Sequence, residues 1–283
     1  MDLRWFQLYI ATMSKLKFIK MHGLGNDFVV FDARNTPIKL TAVQTQSIAD
    51  RRRGIGCDQV ILLENARNRG DVMMRIYNSD GGEVEACGNA TRCIGGLIMD
   101  EKGSDQVTIE TLSGLLIATK AGTGICVDMG PAYINWDDIP LATEMDTLSL
   151  KIKEGVLRNP VAVGIGNPHA VFFVNNVNKI NLGKIGPVIE HHKFYPNGTN
   201  VEIAEVTSRN HIRLRVWERG VGITQACGTG ACATLVAAVR RDLTELNATI
   251  ELDGGPLEVE WRNDNHIFMT GPTEMSHTGT WIL

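Results

Sequence analysis

The sequence predicts an α+β protein of two pseudo-symmetric mixed-sheet domains, each wrapped around one central helix. Three observations carry that expectation. The chain repeats itself at an almost constant offset, short β-prone runs alternate with turn clusters, and each copy starts its main helix directly after the same Ala-Cys-Gly triplet.

The repeat comes first. MRIYNSDGGEVEACGNA (Met74 to Ala90) aligns without a gap on LRVWERGVGITQACGTG (Leu214 to Gly230), pairing Arg75 with Arg215, Gly82 with Gly222, and Ala86-Cys87-Gly88 with Ala226-Cys227-Gly228. With one residue more between the copies, GLGNDFVV (Gly23 to Val30) falls on GIGNPHAV (Gly164 to Val171), and Gln59 falls on Asn200. Matches in the same order along the chain indicate a duplicated unit. The expected division is an extension over 1–15, a first domain over 16–131 ending at the Gly130-Pro131 break, and a second over 132–270. Asp137-Asp138-Ile139-Pro140 falls in or just after the linker.

The elements follow in order. Phe28 to Phe31, Val72 to Tyr77, Val107 to Thr111, Ala170 to Val174 and Ile212 to Trp217 are rich in β-branched and aromatic residues and are bounded by turn clusters, so they read as strands. Helical patterning is intermittent, at Ala42 to Arg52, Thr91 to Asp100 and Ala231 to Arg241. The last two are largely apolar, and Asn89 and Thr229 are of a type that favours helix starts. Each repeated cysteine is therefore expected at the positive end of a buried helix.

Composition narrows the function. The 283 residues are 43% hydrophobic and 21% charged with a net charge of −4, an ordinary globular balance with no broad cationic surface for nucleic acid. The one basic cluster, Arg51-Arg52-Arg53, reads as a solvated helix end or as a loop over a phosphate site. No apolar run approaches the roughly 18 residues of a membrane helix, so no membrane partner is expected. Six cysteines without a Cys-x-x-Cys pair suggest neither a disulfide scaffold nor a metal site, and cytoplasmic, reduced thiols follow. The stretch MDLRWFQLYIATMSK lacks a clear small-residue cleavage site and reads as an unstructured or mis-assigned extension rather than a signal peptide.

Two matched thiols at helix starts suggest a specific chemistry. The local field there favours thiolate, and a depressed pKa would make a usable base at neutral pH. First-turn N–H groups grip a carboxylate. Two such starts facing each other could hold one carboxylate while a thiol approached its α-carbon from each side. One thiolate would remove the α-proton and the opposite thiol would deliver another, inverting the centre without a cofactor or metal. Cys93, Cys126 and Cys232 read as core residues, whereas Cys57, in a Gly-rich turn, could be exposed and sensitive to oxidation.

From about Leu16 onward the chain resembles diaminopimelate epimerases, on KMHGLGNDFVV, GIGCDQ, the run from Asn78 through CGNATR, GNPHAVFF, TNVE, WERG and ACGTGA. The resemblance implies a cofactor-independent enzyme interconverting LL- and meso-diaminopimelate, with its site in an interdomain cleft and a homodimeric assembly. It also implies that the tail 271–283 completes the first domain. By resemblance, Cys87 and Cys227 are the acid/base thiols, and Gly88-Asn89 and Gly228-Thr229 hold the reacting carboxylate. Asn26, Gln59, Asn78, Asn167, Asn200, Glu218 and Arg219 are the remaining substrate contacts, and His169 and Glu218 tune the thiols. Arg219 offers a bidentate fork for the distal carboxylate, and Glu218 suits the ammonium at the reacting centre. Gly82 stands where the family usually has Ser, which bears on the rigidity of the turn before Cys87.

Other readings are a proline or hydroxyproline racemase, a thiol redox protein using Cys87 and Cys227 as a disulfide pair, and a non-catalytic duplicated binding module. A cyclic imino acid would leave Arg219 and three asparagines unpaired.

Overall fold

The computed structural model describes residues 15–85, 87–122 and 124–283. The extension lies outside the described residues except for Lys15, which opens the first strand. The first half runs β1 (Lys15–Gly23), β2 (Asn26–Asp32), α1 (Ala42–Ala49), β3 (Gln59–Glu64), β4 (Val72–Asn78), β5 (Glu83–Val84), α2 (Gly88–Lys102), β6 (Gln106–Thr111), β7 (Gly114–Ala121) and β8 (Gly124–Pro131). After a small hairpin, β9 (Lys153–Glu154) and β10 (Leu157–Arg158), the second half runs β11 (Val161–Gly164), β12 (Pro168–Phe173), α3 (Leu182–Glu190), β13 (Asn200–Ser208), β14 (His211–Glu218), β15 (Gly222–Thr224), α4 (Gly228–Arg240), β16 (Asn247–Leu252), β17 (Gly255–Trp261) and β18 (His266–Gly271). The chain closes with β19 (Glu274–Ile282).

The sequence repeat is a repeat of hydrogen-bonding register. Phe28 pairs in parallel with Gln59 as His169 does with Asn200. Val60 opposes Tyr77 as Val201 opposes Trp217, and Val72 lies beside Ile109 as Ile212 lies beside Ile250. A one-residue slip would turn every side chain to the wrong face, so matched register means matched cores. β8 pairs antiparallel with β18 and joins the halves, while β19 pairs along β1 and covers its outer edge.

The central strands of each half, such as β2, β3 and β12, are buried on both faces, which explains their continuous apolar runs. In β3, Ile61 and Leu63 join Ile94, Ile98 and Met99 of α2 in the inner core, whereas Val60 and Leu62 join Ile48 of α1 on the outer side. In the second half, Val171, Leu214 and Val216 pack with Leu235 and Val236 of α4, while Phe172, Val201 and Ile203 pack with Leu182 and Ile189 of α3.

Two readings need correction. The helix expected to reach Arg52 stops at Ala49, because Asp50 turns the chain and accepts the amides of Arg52 and Arg53. Sequence patterning also misses α3, whose Pro187 and two glycines are poor helix formers. Asn181 caps it by accepting from the Lys184 amide, and its apolar side docks on the outer core. A β-carbon at Gly186 would lie 2.5 Å from Cγ of Trp217. Gly186→Ala is therefore expected to lower unfolding free energy by about 1–3 kcal/mol. Urea denaturation checks this, and an unchanged midpoint would mean that Trp217 yields freely.

Candidate active site

Cys87 and Cys227 are themselves the N-caps of α2 and α4, with extended backbones at φ −149° and −122°. This places Asn89 and Thr229 in the first turn rather than at the cap, two residues inside the start that their residue type suggests. A short strand, β5 or β15, precedes each helix, and the same Cys-Gly pair opens both. Gly230 N–H donates to Cys227 Sγ at 3.4 Å. Among the six cysteines, none is disulfide-bonded.

Asn89 brings the two starts together. Its Nδ2 donates to Asn26 Oδ1 at 3.1 Å and, across to the other half, to the Ala226 carbonyl at 3.2 Å. Cys87 Sγ lies 3.9 Å from the same Asn26 oxygen. Gly88 and Gly228 both pack on Met269, and the Asn89 oxygen lies 3.5 Å from where a Gly228 β-carbon would stand. Thus the two helix starts meet through Asn89 and Met269, with Cys87 partly exposed and Cys227 buried.

The remaining candidates divide between this region and its frame. Gln59 Nε2 donates to Asn78 Oδ1 at 2.9 Å at the ends of β3 and β4. Asn200 spends both ends of its amide on backbone, accepting from Arg219 N–H at 2.9 Å and donating to Pro168 O at 3.0 Å. It therefore shapes the loop that carries Arg219, whose exposed guanidinium reaches the Asn197 carbonyl at 3.1 Å. Glu218 accepts from the Thr224 hydroxyl on β15.

A chain of hydrogen bonds leads to Cys227. Asn167 Nδ2 lies 3.5 Å from Thr229 Oγ1, which lies 3.6 Å from Cys227 Sγ. Asn167 Oδ1 faces His169 Nε2 at 2.8 Å, and His169 Nδ1 faces Glu202 Oε1 at 2.7 Å. The Asn167 oxygen can only accept, so His169 Nε2 is the donor of that bond. His169 and Glu202 are wholly buried, and burial raises the Glu202 carboxyl above its ordinary value, opposed by His169.

A family model described as diaminopimelate epimerase matches residues 18–135 and 161–276. The chain belongs to the diaminopimelate epimerase family. It is 54% identical over 265 residues to the diaminopimelate epimerase of Rhodospirillum centenum, covering 93% of this chain and 91% of that one. It is 50% identical over 255 residues to that of Zymomonas mobilis, covering 90% and 93%. Among solved structures it resembles a PhzF-family phenazine biosynthesis protein from Bacillus anthracis (TM-score 0.69, 17% identity, 96% and 100% covered). It also resembles a hydroxyproline epimerase from Agrobacterium vitis (TM-score 0.69, 14% identity, 95% and 93% covered). At these identities the two structures establish the shared two-domain α+β fold alone.

Against that family background, the thiols do not behave as helix position alone suggests. Burial pushes Cys87 up to about 11; the Ala90 and Asn89 amides and the charge of Arg92 act against it, while Glu218 adds to it. Burial likewise raises Cys227 well above its ordinary value, with the charges of Glu218 and Glu202 adding to the effect. The expected depression is overturned because desolvating a thiolate outweighs the favourable first-turn amides. Burial also raises Glu218, opposed by the Thr224 bond and His169. Cys57 is corrected too: it is 2% exposed, and burial pushes it to about 12, so it is neither accessible nor readily oxidised.

Two functional candidates escape a reading of the sequence. Glu202 stands two residues after Asn200 on β13, and a carboxylate set between Val201 and Ile203 is its signal. Arg92 closes the CGNATR run, and an arginine inside an apolar helix is its signal. Glu202→Ala leaves His169 Nδ1 unpaired in the core and is expected to cost about 3–5 kcal/mol of stability. Glu202→Gln, which retains a donor, is expected to cost clearly less. Equal unfolding midpoints for the two variants would remove this role from Glu202.

Proposed function

We propose that this chain catalyses the interconversion of LL- and meso-diaminopimelate through two thiols acting on opposite faces of one α-carbon. The observation that carries the reading is the meeting of two cysteine-capped helix starts through the Asn89 bridge. One carboxylate bound there accepts N–H groups from both first turns, which stabilise the charge that develops when the α-proton leaves. One of Cys87 and Cys227, as thiolate, takes that proton, and the other, as thiol, delivers its own to the opposite face. Each turnover exchanges their protonation states, and exchange with solvent restores them. The elevated pKa values suit the thiol that acts as acid and make the thiolate, once formed, a strong base.

Asn26, Gln59, Asn78, Asn167, Asn200, Gly88, Asn89, Gly228 and Thr229 form and frame the pocket. Glu218 receives the ammonium at the reacting centre, and Arg219 pairs the distal carboxylate. That second charged end supports diaminopimelate over a cyclic imino acid, which has nothing to offer Arg219. His169 positions Asn167, and through it Thr229 and Cys227. The same reading has the enzyme working in the cytoplasm, as a homodimer, in lysine and peptidoglycan precursor synthesis; its six free thiols agree with a reducing compartment.

Proton NMR of LL-diaminopimelate with enzyme in D2O tests it. Loss of one α-proton signal with appearance of the meso isomer is the expected result. Exchange on proline but not on diaminopimelate would overturn the substrate, and no exchange with both thiols reduced would overturn the reaction.

A further inference from the structure

Among the described residues, Arg92 is the largest side chain that is completely enclosed, at 0% exposure, and none of them offers it a carboxylate. Its Nη1 donates to Asn89 Oδ1 at 2.9 Å and lies 3.5 Å from Met269 Sδ, while Nε and Nη2 have no hydrogen-bond partner. Two glycines leave it room: a β-carbon at Gly23 would stand 2.9 Å from Nη2, and one at Gly271 would stand 3.3 Å from Nε. Folding alone gives no reason to enclose an unpaired cation, since an apolar side chain of similar size would avoid the desolvation cost. The repeat makes the same point, because at the equivalent place in α4 the chain carries Cys232, small and equally buried.

The location supplies the reason. Met269, which Arg92 touches, packs against both Gly88 and Gly228, and Asn89, its hydrogen-bond partner, lies against Gly228, so the guanidinium lies beneath the junction of the two helix starts. The reaction puts substantial negative charge at that junction: the substrate carboxylate, Glu218 nearby, and one further charge that passes from the thiolate to the α-carbon as the proton moves. Against it stand the substrate ammonium and two helix ends worth about half a positive charge each. One further cation brings the region close to neutral.

We infer that Arg92 is the buried counter-charge of this site, holding the Asn89 bridge in place while supplying the positive potential that favours the Cys87 thiolate and the developing substrate charge. This rests on the epimerase reading above. Arg92 acts through Asn89 and through its field rather than by touching substrate, so it is a positioning residue. The titratable groups that feel it are Cys87 and Cys93 from α2 and Cys232 from α4, while Gly23, Met269 and Gly271 bring it no charge. Glu218 opposes it at Cys87.

Three substitutions separate charge from packing. Arg92→Gln retains a donor for Asn89 without the charge, Arg92→Lys retains the charge without the fork, and Arg92→Met retains volume alone. In a Cys227→Ala background, the rate of Cys87 alkylation by iodoacetamide is followed against pH by peptide mass spectrometry. Arg92→Gln and Arg92→Met are expected to move the Cys87 titration upward by about one unit or more, and Arg92→Lys by clearly less. With Cys227 present, Arg92→Gln is expected to lower kcat at least about 100-fold with a smaller change in KM, and Arg92→Lys to recover part of it. Arg92→Met is expected to melt no lower than the parent despite its loss of activity.

An unchanged Cys87 titration in Arg92→Gln, or equal kcat in Gln and Lys variants, overturns the inference. If Arg92→Met fails to fold, the Gln and Lys pair still decides. The alkylation titration uses no substrate, so it stands or falls independently of the epimerase reading. A shifted titration in a protein that does not turn over diaminopimelate would count against that reading and for the counter-charge.

Discussion

Cys87→Ala and Cys227→Ala are each expected to reduce epimerisation at least about 10³-fold in both directions, with substrate still bound. The reason is geometric. Each direction needs one thiol as base and the other as acid, so neither cysteine can substitute for its partner on the opposite face. The remaining thiol still reaches one face. Each single variant is therefore expected to wash deuterium slowly into one stereoisomer without inverting it, and the two variants are expected to choose opposite isomers. Proton NMR in D2O with each pure isomer checks this. Full turnover by either variant would sink the two-base mechanism, and exchange of the same isomer by both would place the thiols on one face. Stability should change little at Cys87, which is partly exposed and has no cap bond, and more at Cys227, which is buried and accepts the Gly230 amide.

Glu218→Gln is expected to cut kcat/KM at least about 100-fold while shifting the thiols in the opposite sense to the Arg92 variants. The carboxylate raises both Cys87 and Cys227 through its charge, so removing that charge should lower both. Thiolate should therefore appear at lower pH, and Cys87 alkylation at a fixed neutral pH should accelerate. Catalysis nonetheless falls, because the ammonium at the reacting centre loses its counter-charge and the substrate its alignment. Folding should change little, since glutamine fills the same space and can still accept from Thr224. A pH series of alkylation and initial rates tests both halves of the expectation. Near-normal kinetics would remove Glu218 from the site, and unchanged alkylation would mean that its charge does not reach Cys87.

Much of the architecture is legible in the amino-acid sequence. The repeated run through Ala-Cys-Gly locates both central helices, and the apolar stretches after it mark the faces those helices bury. The strands read at Val72 to Tyr77 and Ile212 to Trp217 appear within a residue of their observed ends. What fails does so for identifiable reasons. α3 escapes notice because its helix formation depends on docking over Phe172 and Val201 rather than on propensity, which Pro187 and its glycines oppose. Which groups hold Asn200 is also invisible in its motif: its amide donates to the Pro168 carbonyl and accepts from the Arg219 amide, both brought to it by the fold.

Residue type and spacing within short segments are enough to mark the duplication and the two cysteines at helix starts, whereas Glu218 and Arg219 are marked only by the likeness of their WERG run to the family. Tertiary structure alone decided the acidity of the thiols, the Asn89 bridge, the buried His169–Glu202 pair and the place of Arg92. Those properties arise where segments far apart in the chain exclude water from one another. A local pattern fixes which groups are present, and the loss of solvent around them fixes which charges they can carry.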